Sequence, residues 1–135
     1  LTDHGFDHRD ASEAAIAERV ALAERVRLEL ALAGLPALRE DQDEQAGALV
    51  EVDAGDDAAG GVFVDWRPDP ALTRDAVDMM LKGEHHAPAV RHNGAVCSHM
   101  QQAIIGILRS AGLQADEAAV FEGDLRPLSV RVAAR

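Results

Sequence analysis

The sequence is poor in aromatic side chains, with three Phe, one Trp and no Tyr among 135 residues. Proteins that bind single-stranded nucleic acid stack bases on such rings, so that class is disfavoured. Positive charge is scarce as well. Thirteen Lys and Arg stand against 24 Asp and Glu, for a formal charge of −11, and the basic residues are scattered along the chain. A phosphate backbone and an anionic membrane surface would both be repelled. A protein partner, or a second copy of the chain, suits this charge better.

Cysteine is represented once, by Cys97, so no internal disulfide can form and the fold does not depend on an oxidising compartment. The start, "LTDHGFDHRD", lacks the basic residues and apolar run of a secretory signal. No stretch approaches the roughly 20 apolar residues of a membrane span. A cytoplasmic location is therefore expected, for a chain that begins at Leu1 rather than Met.

Phosphate cradles are missing too. No glycine-rich loop of dinucleotide or P-loop spacing lies between a strand and a helix, and Gly60-Gly61 precedes a strand, which is the wrong order. Ser12, Ser98 and Ser129 lack the flanking glycines of a nucleophile elbow.

What fills the apolar fraction is alanine: 26 residues, against 38 larger apolar ones. A chain of this length fits one compact domain, and such a composition implies a thin core with closely approaching helices. Residues 1–9 read as a polar leader and 10–135 as a single domain.

The strongest helical pattern is "RDASEAAIAERVALAERVRLELALAG". Asp10 and Glu13 have the spacing of a capping box, and Gly34 with Pro36 ends the helix. Ile16, Val20, Ala23, Val26, Leu30 and Ala33 recur at intervals of three and four and form the expected core stripe. The opposite side is unusually apolar: Ala14, Ala17, Ala21, Leu28 and Leu32 gather around Arg25 and Glu18. Ala21, Arg25, Leu28 and Leu32 are the candidate interaction face, set against the plainer reading of two leucines exposed singly on an alanine-rich helix. A thin-cored domain gains from pairing, which favours a homodimer.

Next, "ALVEVD" and "VFVDWR" alternate apolar and polar residues on either side of "DAGDDAAGG", which reads as a β-hairpin with an open register. Its acidic loop, with Asp53, Asp56 and Asp57, lacks the pattern of a calcium loop. Trp66 shares a strand face with Val62 and Val64 and is expected to pack under the following helix.

Asp69 caps that helix, with Pro70 in its first turn and Leu72, Ala76, Val77, Met80 and Leu81 as its apolar face. Gly83 stops it. A third helix is expected from Asn93, its N-cap, to Gly112, with Val96, Met100, Ala103, Ile104, Ile107, Leu108 and Ala111 inward. A second hairpin follows, with strands at 119–122 and 128–132.

The expected fold is thus α+β, a two-layer sandwich: a four-stranded, mostly antiparallel sheet of two β-hairpins covered by helices, in the order α-β-β-α-α-β-β. The first and third helices are expected to supply most of the cover.

Residues 82–102, "KGEHHAPAVRHNGAVCSHMQQ", hold four of the six histidines and the cysteine. Zinc needs three or four ligands converging at about 2.0–2.3 Å. Cys97 and His99 are two apart and diverge on a helix, and His92 and His99 share a side only if the helix starts near Pro88, about 10 Å apart even then. His85, His86 and His92 are the best remaining metal candidates, as part of an alternative reading in which 85–99 serves a small metal-binding protein or enzyme. Cys97 sits beside the apolar face and reads as a structural thiol rather than a nucleophile.

No motif calls for a cofactor. In gross properties alone, namely size, acidity and a helix-and-hairpin make-up, the chain resembles small acidic chaperone-like or adaptor proteins of the secretion-chaperone kind. That resemblance implies a function in binding proteins and assigns no residue. The leading expectation is a non-enzymatic, homodimeric binding module. The alternatives are the metal protein or enzyme and a small-molecule carrier with an apolar pocket between sheet and helices.

Overall fold

The computed structural model describes residues 12–41, 45–53, 55, 61–118 and 128–134. Their elements run α1 (Glu13–Leu32), β1 (Ala37–Leu38), β2 (Gly47–Asp53), β3 (Gly61–Arg67), α2 (Pro70–Leu81), α3 (Pro88–Ser110), β4 (Gln114–Glu117) and β5 (Val130–Ala133). The architecture is α+β, as expected. The sheet differs in detail: it has five strands, in the order β1-β2-β3-β5-β4, and it is mixed, because β1 pairs parallel with β2.

β1 is two residues long, too short for alternation to reveal it, and lies between Pro36 and Arg39. A strand this short needs only a brief return loop to pair parallel. Ala48 N–H donates to Pro36 O at 2.8 Å, and a side chain at Gly47, whose φ is 149°, would meet that oxygen at 2.7 Å. Only glycine fits there.

The first hairpin has the register Val50 opposite Val64 and Val52 opposite Val62. β5 overlaps the expected strand at 128–132, and its described antiparallel partner is β4. β4 is "QADE", polar but for Ala115, and pairs antiparallel with β5 at the sheet edge. Its alternation is weak in sequence because only Ala115 is buried. The expected strand at 119–122 lies outside the described residues, as do the leader 1–9, Asp10, Asp56 and Asp57.

Helix boundaries follow local chemistry. Ser12 Oγ accepts from Ala15 N–H at 3.2 Å, so Ser12 rather than Asp10 caps α1. Asp69 caps α2, its Oδ1 accepting from Ala71 N–H at 2.8 Å. α3 begins at Pro88, with Ala87 as N-cap in place of the expected Asn93, six residues earlier, and no side-chain cap. Pro88 presets the first turn, and packing against α2 carries the helix through Asn93 and Gly94 despite their low propensity.

All three helices end alike, at Gly34, Gly83 and Gly112 with positive φ, each followed by a residue whose N–H reaches back to Leu30, Met79 or Leu108. These are Schellman stops.

Core residues come from α1 (Ala23, Val26, Leu30), α3 (Ile104, Ile105, Leu108) and one sheet face (Ala48, Val50, Val62, Val64, Ala115, Val130, Val132), with Leu113 between α3 and β4. Burying each larger side chain is worth about 1.5–3 kcal/mol. α1 and α3 cover this face as expected. Trp66 is partly buried against this core beside Val62 and Val64, and α2 rests on α3.

Two polar side chains are buried within this core. Gln101 Nε2 donates to Ser129 O at 3.0 Å, and Ser129 Oγ donates to Val64 O at 3.3 Å, which ties α3 to β5 and β3. Satisfying these groups matters because an unpaired buried polar atom costs about 1–3 kcal/mol.

The edge beside β1 is held by arginines. Arg27 Nη2 donates to Val50 O at 2.8 Å, and Arg19 Nη1 donates to Asp53 O and Gly55 O at 2.8 and 2.6 Å. These guanidinium groups occupy carbonyls of β2 beyond the reach of the short β1, where an open strand edge would invite foreign pairing.

Candidate functional site

The histidine-rich segment does not converge. His85 and His86 are exposed in the turn before α3, and His85 Nδ1 lies 3.2 Å from Met80 Sδ. His92 and His99 are both exposed on α3, seven residues and so about 10 Å apart. Among the described residues, no three of His, Cys, Asp and Glu form a group able to hold a metal ion.

Cys97 is half-buried on the other side of α3, its thiol 3.9 Å from Trp66 O. Burial, and then the nearby Asp65 carboxylate, push its pKa up. The thiol therefore stays protonated at neutral pH, the opposite of what a nucleophile needs.

The side of α1 that faces away from the sheet has the greater coherence. Leu28 is 56% exposed and Leu32 74%, and Ala14, Ala17 and Ala21 are exposed in line with them. Helix geometry puts these five residues within one narrow sector of the helix surface. Val20, read from the sequence as inward, is 47% exposed; the stripe there is displaced by Arg19 and Leu22, which sit on the core side.

Arg25 belongs to the flank of this face rather than its middle. Its Nη2 donates to Ala111 O at 2.8 Å, the carbonyl that ends α3, and its Nε lies 3.8 Å from Glu29. The other flank is closed by Glu24, which pairs with Arg27 and is gripped through both oxygens by Arg39 at 2.7 and 2.8 Å. The Arg39 hydrogen bond is the main reason that the Glu24 pKa is lowered.

Between that flank and β1 runs an open groove of about 600 Å³, lined by Leu28, Ala31, Gly34, Leu35 and Pro36 among others. Its charged residues are Glu24, Arg27 and Arg39, both guanidinium groups sharing the one carboxylate.

A second apolar surface was not legible in the sequence. The sequence places Val77, Met80 and Leu81 inward, yet they are 47%, 44% and 81% exposed, because α2 buries Ala76 and turns Leu72 and Met79 toward its neighbour. The third helix shows the same kind of rotation: Ile104, Ile105, Leu108 and Gln101 are buried and Ala103 is exposed.

The comparisons with known proteins return nothing to name: the chain matches no family model, no curated protein and no solved structure. Among the described residues, no helix is long and apolar enough to cross a membrane.

Proposed function

We propose that the chain acts by binding, as a homodimer joined through the outward side of α1, and that it serves as a protein-interaction module in the cytoplasm. The observation that carries this reading is the exposure of Leu28 and Leu32 on a helix face with no charge at its centre. Two copies of a −11 chain repel one another at most surfaces. At this face they meet through uncharged groups, with Arg25 beside Glu29 on one flank and Glu24 held by Arg27 and Arg39 on the other, so less repulsion opposes contact there than elsewhere.

The alanines also let two helices approach closely, at the 8–10 Å typical of packed pairs. The groove beside Leu28 then offers a seat for a leucine of the other copy, in the self-complementary manner of a two-fold interface. The single cysteine fits a reducing compartment.

Light scattering tests this directly. Wild-type protein at micromolar concentration is expected to have twice the chain mass, and the Leu28→Glu, Leu32→Glu double variant the mass of one chain. A monomeric wild type would sink the dimer.

A further inference from the structure

We draw no further inference here: the strongest candidate, the exposed apolar patch of Val77, Met80 and Leu81 on α2 beside the groove at the end of β3, carries none because nothing in the structure shows what covers it.

Discussion

The outward sides of α1 and α2 both expose leucine and valine, yet they differ in what their arginines do. On α1 the flanking guanidinium groups are spent: Arg25 on the last carbonyl of α3, Arg27 on Val50 O, and Arg39 on Glu24. What remains between them is an uncharged, self-compatible strip. On α2 the exposed Arg74, beside Val77, makes no hydrogen bond or ion pair among the described residues. Similar composition thus yields two exposed apolar faces that differ in the engagement of their arginines. The charge that matters is the charge left over after the fold has used its share.

The largest expected contrast lies within α1 itself. Leu30 is fully buried and Leu32 is 74% exposed, two residues apart. Leu30→Ala is expected to cost about 2–5 kcal/mol in urea unfolding, because it removes buried methylene groups and leaves a cavity. In the monomeric background of Leu28→Glu, Leu32→Ala should stay within about 0.5 kcal/mol. Comparable losses at both positions would mean that the outward side of α1 is covered within a single chain.

A smaller effect separates the arginines. Arg27→Ala leaves the Val50 and Leu38 carbonyls without their charged donor and should cost about 1.5–3 kcal/mol. Arg74→Ala has no such bond to lose and should stay within about 0.5 kcal/mol. If Arg74 proved as costly, it would be engaged within the fold.

Smaller still are the titrations. The pKa of Cys97 is raised, so its proton is held more tightly in the folded chain. The associated stability is complete below the unfolded value of about 8.5 and is lost as pH rises through the folded value. Cys97→Ser should remove that alkaline slope, and a maleimide should react more slowly with folded than with urea-unfolded protein at pH 8. Glu24 runs the other way: its lowered pKa gives a contribution present above about pH 4.3 and lost on acidification through the folded value. Both partners are well exposed, so Glu24→Gln should flatten the acid limb of stability only slightly.

Much of this organisation was legible in the sequence where a signal was local. The glycine stops at 34, 83 and 112, the Asp69 cap, the Val50–Val52 and Val62–Trp66 strands, and the cover of the sheet by α1 and α3 follow from turn chemistry and alternation. The parts that were not legible depend on distant partners. β1 exists because Pro36 O meets Ala48 N–H, β4 because β5 offers a polar edge strand its hydrogen bonds, and the six extra residues at the start of α3 because that helix packs against α2.

The same reason governs the candidate faces. Leu28, Leu32 and Ala21 could be grouped by helical spacing alone, and the structure exposes all three. The tie of Arg25 to Ala111 O is a contact 86 residues away, and nothing near Arg25 in the sequence signals it. On α2 the apolar residues cover more than half the helix, so periodicity could not say which part α3 would take.

The central claim is that two copies meet through the outward side of α1. The most direct measurement places one cysteine at Ala21, another in a separate variant at exposed Ala103 on α3, both in a Cys97→Ser background, and treats each at micromolar concentration with a short bis-maleimide cross-linker. Ala21→Cys is predicted to give a covalent dimer and Ala103→Cys to remain a single chain. Absence of the dimer at Ala21→Cys, or equal cross-linking at both positions, would contradict it.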